Sequence, residues 1–244
     1  MADIDLNEKV RAFLNSAFQK YMVKDVEGAI RDLKASEVLD PDNPEICYNL
    51  GICYCRLGLH ATAERYFSQV LSMRHRLIDA MTVRKLLAFC LLHQGRYRDA
   101  AHHLGDVLEL APQDSVAMNM LGYCLSQERD YRAAIRIYRR VVEIDPYNIN
   151  ALNALAYLLA LSGGSLDEAL SLSQKVIANQ RSNPAYLDTL GYIYLKKGAL
   201  SMARRYLTKA REAAPMSEEI RAHCQELERA EGGDSTGVAR RDTL

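Results

Sequence analysis

The side chains in this 244-residue chain that could do chemistry are six cysteines, six histidines and scattered charged pairs. Cys47, Cys53, Cys55, Cys90, Cys124 and Cys224 would serve as nucleophiles or metal ligands if the chain brought their thiolates together. Their spacing does not suggest it. There is no Cys-x-x-Cys, and no Cys/His pair stands at zinc-finger spacing. His102 and His103 are adjacent, and adjacent side chains on a helix point about 100° apart, so they do not chelate one ion. A Gly-rich phosphate loop, a His-Glu-x-x-His helix and a nucleophile elbow are all missing. Glu64 and Arg65 read as solvated charges on an outer face. The expectation is therefore no enzyme, no metal and no cofactor. Cys53, Cys90 and Cys124 each follow a small residue by two positions, where a compact apolar side chain is wanted.

Those small residues recur. Ala17, Gly51, Ala88, Gly122, Ala156 and Gly191 stand at intervals of 34, 37, 34, 34 and 35 residues. Ala29, Ala63, Ala100, Ala134, Ala169 and Ala203 follow nearly the same period. Two independent series at one period mark a solenoid of stacked units. The stretch Ser115–Asn148 shows one unit: two amphipathic helices, a turn between them and a proline at the end.

The units divide the chain into a polar leader (1–9), repeat one (10–43), repeat two (44–77), an irregular junction (78–80), repeat three (81–114), repeat four (115–148), repeat five (149–183) and repeat six (184–217). Residues 218–230 carry Ile220, Cys224 and Leu227 at helical spacing and suit a capping helix over the last repeat. Residues 231–244 have too little apolar content to fold and read as a disordered tail. Repeat two lacks the terminal proline, with His75 in its place, and residues 66–90 contain no Gly or Pro. An overrun helix or a longer loop is expected there, making 70–85 the candidate joint.

Lys plus Arg and Asp plus Glu each number 31, so no basic excess points to nucleic acid. Clusters such as Arg136, Arg139 and Arg140, or Arg204 and Arg205, lie among acids and read as solvated helix faces. No apolar run approaches the roughly 18–20 residues of a membrane span. The start, Met1 to Lys9, has acids where a signal peptide needs a basic, then apolar, segment. The expected location is the cytoplasm, with no membrane insertion.

Numbered within each repeat, position four is bulky, seven usually Leu, eight Gly or Ala, eleven usually Tyr or Leu, twenty Ala, twenty-four often aromatic or Leu, and thirty-two Pro. This pattern resembles the tetratricopeptide repeat family over about residues 10–230. Repeats five and six resemble bacterial members in style. The departures are Cys47 and Arg84 at position four, Ser173 at twenty-four, and the missing proline of repeat five. The resemblance implies an all-α, right-handed α-solenoid of six helix–turn–helix repeats with a C-terminal capping helix. Positions eight and twenty are then the close approach of the paired helices.

At 100° per residue, positions four, seven, eight and eleven point toward the core, while two, five, nine and twelve form a separate, narrower stripe. The resemblance implies that this stripe lines a concave groove holding a ligand. Position nine supplies Phe18, Ile52, Phe89, Tyr123, Tyr157 and Tyr192, and position five supplies Leu14, Tyr48, Lys85, Asn119, Asn153 and Asp188. Asn15, Asn49 and Asn150 stand beside them. Aromatic faces with amides between them suit an extended or helical protein segment. The alternative is structural: position nine packs on the next repeat, and Asn15 and Asn49 serve the fold.

Family members that hold the carboxylate tails of chaperones share a clamp of Lys and Asn at positions five and nine, Asn at six of the next repeat, and Lys and Arg at two and six of the third. Tested from repeat three, this chain has Lys85, Phe89, Met120, Asn150 and Ala154, and the other registers match no better. A carboxylate-clamp chaperone tail is not an expected partner. The expected function is a non-catalytic scaffold for other proteins or peptides. The alternative is a chaperone or assembly factor for a secretion, pilus or envelope complex, and an enzyme comes last.

Overall fold

The computed structural model describes residues 5–74 and 77–238. Among them are thirteen α-helices and no strand. They run as pairs: α1 (Leu6–Met22) and α2 (Val26–Leu39), α3 (Pro44–Arg56) and α4 (His60–Ser72), α5 (Ala80–His93) and α6 (Tyr97–Leu110). Next come α7 (Ser115–Gln127) and α8 (Tyr131–Ile144), α9 (Ile149–Leu161) and α10 (Leu166–Asn179), and α11 (Pro184–Lys196) and α12 (Leu200–Ala213). Last among the described residues is α13 (Glu218–Val238).

Local chemistry sets these boundaries. Asn43, Asp79, Asp114, Asn148 and Asn183 each accept a hydrogen bond from the first turn of the helix they precede. Those bonds satisfy amides that the helix itself leaves open. Between the two helices of each repeat stands one residue in the left-handed region: Gly58, Gly95, Gly163 and Gly198 at φ 73°, and Lys24 and Arg129 at 68° and 62°. Only glycine adopts that conformation without steric cost.

The chain forms two compact units, residues 1–128 and 129–244. In the first, α2 packs on α3, α4 on α5 and α6 on α7, so each pair is buried against the next. In the second, α8 through α12 pack in sequence and α13 closes against α11 and α12. The alanines at position twenty are fully buried in both units. At position eight, a Cβ on Gly51 would lie 2.6 Å from the Phe67 ring, and one on Gly191 2.7 Å from Leu207. The close approach is therefore between position eight and the side chain at twenty-four, one turn beyond the alanine at twenty. The whole is an all-α helical-repeat solenoid.

Four expectations change. The first helix begins at Leu6, because Asp5 caps it and Glu8 lies in its first turn, so part of the supposed leader is helical. Of the two alternatives for 70–85 the longer loop holds and the overrun does not: α4 stops at Ser72 and Asp79 caps α5, so the break between helices is wider than the expected 78–80, with residues 75 and 76 outside the described residues. The division between units falls at 128/129, while repeats two and three lie in one unit. The last helix continues to Val238, beyond the expected 218–230, and 239–244 lie outside the described residues.

Candidate functional site

In the first unit, position nine lies on four successive first helices, α1, α3, α5 and α7. Phe18 is 60% exposed, Phe89 40% and Tyr123 45%, with Ile52 half-buried. Three aromatic side chains at one repeat position thus remain open to solvent. Phe89 meets the ring of His93 edge-on at 4.4 Å, and Tyr123 meets Tyr97 edge-on at 6.2 Å. Asn49 and Asn119 are half-buried at the neighbouring positions, and Asn119 donates to the Ser115 carbonyl. Tyr48 turns inward: its ring meets Phe67 edge-on, and burial pushes its phenol up. Lys85 is paired with Asp114 at 2.6 Å, so its charge is already answered within the fold.

The second unit uses the same positions differently. Asp188 and Tyr192 are only 4% and 3% exposed, because α13 lies against α11. His223 on α13 places Nδ1 at 3.0 and 2.9 Å from the two carboxylate oxygens of Asp188, and its ring stacks on Tyr192 at 4.3 Å. Tyr157 is half-buried beside them, its phenol raised first by burial and then by Glu219. Asn153 is half-buried, and Asn150 is exposed and accepts from the Tyr186 hydroxyl. At the end of the chain, the stripe is occupied by the chain's own last helix.

The charged clusters do more than face solvent. Glu64 pairs with Arg96, Arg98 with Glu128, Arg139 with Glu168, Asp167 with Lys197, and Lys196 with Glu226. Each joins one repeat to the next. Exposed pairs of this kind contribute about 0–1 kcal/mol, so they set register more than stability. A cleft of about 310 Å³ beside Glu64, Arg96, Asp99 and His102 lies on this charged side.

Burial raises the thiols of Cys47 and Cys53 to about 11 and of Cys124 to about 12, leaving them neutral small hydrophobes. Two constellations went unseen in the sequence. One is the buried Asp188–His223 pair with Glu219 beside it. The other joins Cys55, His60 and Cys90.

Paired helices of fixed length, closed by small residues at two repeat positions and presenting first-helix side chains, define a helical-repeat binding scaffold. Models described as tetratricopeptide repeat match residues 44–113 and, in two overlapping copies, 91–158 and 125–190. These matches together span more than half of the chain, and the chain belongs to the tetratricopeptide repeat family. No curated protein matches it in sequence. Among solved structures, it resembles a tetratricopeptide repeat protein from Parabacteroides merdae at 17% identity and a TM-score of 0.77, over 92% of this chain and 87% of that one. It also resembles PilW, described as a widely conserved type IV pilus biogenesis factor, at 20% identity and a TM-score of 0.70, over 91% and 99%. YrrB, described as having an unusual peptide-binding site, matches at 20% identity and a TM-score of 0.61, over 76% and 97%. These likenesses show the fold.

Proposed function

We propose that this chain is a non-catalytic scaffold that binds an extended or helical protein segment along the first-helix stripe of its first unit. The observation that carries the reading is the row of exposed aromatic rings Phe18, Phe89 and Tyr123 at one repeat position. Large exposed apolar residues set in register, with amides between them, fit a partner that offers apolar side chains and backbone hydrogen-bonding groups. Membership of a family whose proteins bind other proteins or peptides supports it. Among the described residues, no helix is long and apolar enough to cross a membrane. The reading includes the cytoplasm, where the chain's thiols stay reduced. A narrower reading, an assembly factor for a pilus or envelope complex, draws on the description of PilW as a type IV pilus biogenesis factor.

The test compares partners purified with the wild type and with a Phe18→Ala/Tyr123→Ala variant. Phe18→Ala should alter stability by no more than about 0.5 kcal/mol, and Tyr123→Ala should cost about 0.5–1.5 kcal/mol through its edge-on contact with Tyr97. A partner lost from the variant while its unfolding stays cooperative and its midpoint falls by no more than that cost, and bound by the wild type as a purified segment, supports the stripe. Retention of every partner would remove it. Pilus or envelope components among the lost partners would favour the narrower reading.

A further inference from the structure

Cys55 in the last turn of α3, His60 at the start of α4 and Cys90 near the end of α5 converge in the first unit. The two sulfurs are 3.1 Å apart, and a His60 ring nitrogen and both sulfurs all lie within 4.8 Å of one another. Thiols packed only as hydrophobes have no need of so close an approach, or of an imidazole beside them. His60 also carries a buried Nδ1 with no hydrogen-bond partner among the described residues. Its ring is sandwiched by packing: His93 stacks on it at 4.3 Å and Phe89 meets it edge-on at 5.7 Å. Gln94 steadies the other wall, donating from Nε2 to the Cys90 carbonyl and to Glu64.

We propose that Cys55, Cys90 and His60 bind a thiophilic d-block cation, zinc in the first instance, tying the turn of the second repeat to the first helix of the third. Zinc takes sulfur at about 2.3 Å and imidazole nitrogen at about 2.0–2.1 Å, so tetrahedral ligand atoms stand about 3.4–3.8 Å apart. The sulfurs, 3.1 Å apart, stand just short of that range, and the His60 nitrogen lies within 4.8 Å of both, so side-chain shifts of about 1 Å reach it. Two thiolates and a neutral imidazole suit a soft or borderline cation and disfavour calcium or magnesium. On binding, the two thiols release their protons to solvent, the ion takes two sulfurs and one nitrogen, and the fourth position stays open to water. No oxidant is required. The spacing of these residues matches no sequence motif because the ligands come from three helices of two repeats.

The experiment is a cobalt(II) titration of the reduced full-length protein, followed by competition with zinc. A near-ultraviolet sulfur-to-cobalt band with visible tetrahedral bands, saturating at one equivalent and reversed by zinc, is the expected result. Cys55→Ser and Cys90→Ser should each abolish it, His60→Gln should weaken binding at least about tenfold, and Cys224→Ser should leave it unchanged. Should a serine variant fail to fold, the wild type still answers: zinc must slow alkylation of Cys55 and Cys90, read by mass spectrometry, and leave Cys224 unaffected. A missing cobalt band, a band surviving in the Cys55→Ser/Cys90→Ser variant, or a reduced protein that takes up no metal but oxidises Cys55 and Cys90 to a disulfide in air would each overturn the site. Loss of the metal leaves the Phe18 and Tyr123 test untouched, so the two readings fail separately.

Discussion

Replacing His223 by alanine should release α13 from the second unit. Asp188 is 4% exposed, and His223 is the residue that answers its carboxylate, with Nδ1 about equally distant from both oxygens. Removing one partner of a buried pair leaves the other desolvated without compensation, at a cost of about 3–5 kcal/mol. The lost stack on Tyr192 adds about 0.5–1.5 kcal/mol. Partial entry of water into the vacated space offsets some of this, so we expect about 3–4 kcal/mol. At about 1.4 kcal/mol per tenfold, that raises the open fraction of α13 by more than two orders of magnitude.

The chain has no Trp, so the assay is hydrogen exchange by mass spectrometry, with urea unfolding followed by circular dichroism. Exchange should quicken over residues 218–232 and over α11, while the first unit keeps its protection. Asp188→Ala/His223→Ala should cost less than the two single changes added together, because no charge is then left behind. Additive costs, or a loss under about 1 kcal/mol for His223→Ala, would refute the claim that the pair is what holds α13.

Two further predictions concern glycine. Gly51→Ala forces the Phe67 ring aside and should destabilise by about 1–2 kcal/mol net of helix propensity, whereas Gly105→Ala, with nothing within 4 Å of the added carbon, should stabilise by about 1 kcal/mol. Urea midpoints of the two variants should move in opposite directions. Lys24→Gly, at φ 68°, should stabilise by about 1 kcal/mol, and Gly58→Ala, at φ 73° with open space around it, should cost a similar amount through the backbone alone. A thermal melt distinguishes them.

The fold was legible because its repeat is enforced by sterics. Glycine or alanine at position eight and alanine at twenty leave a recurring trace that survives changes everywhere else, as the burial of Ala29, Ala63, Ala100, Ala134, Ala169 and Ala203 shows. What escaped were features that depend on which side chains are available rather than on the repeat. Lys24 and Arg129 take the left-handed turn conformation without being glycine, and their side chains give no sign of it. Asp5 starts α1 earlier than the apolar pattern does, since a cap needs one carboxylate and no buried face. Arg84, a departure at position four, keeps its place by pairing with Asp106. Ser173 is fully buried with no partner for its hydroxyl among the described residues, and nothing in the structure explains why a larger apolar residue is not there.

The candidate stripe was harder to read because exposure at position nine belongs to the neighbour and not to the residue. Tyr123 and Tyr192 are the same residue at the same repeat position, yet one is 45% exposed and the other 3%. The difference comes from α13. Glu218 stands one repeat length after Pro184, so α13 enters in register as a further first helix and brings His223 opposite Asp188. That signal was available: an acid at position five followed by histidine at position six of the next unit is a pairing the repeat geometry brings together. A helix periodicity calculation treats each helix alone and cannot contain it. The same limit hid Cys55, His60 and Cys90, whose proximity is a property of three helices in two repeats. In a solenoid, then, the sequence of one unit says which face it offers, and only the packing of the next says whether that face is still open to a partner.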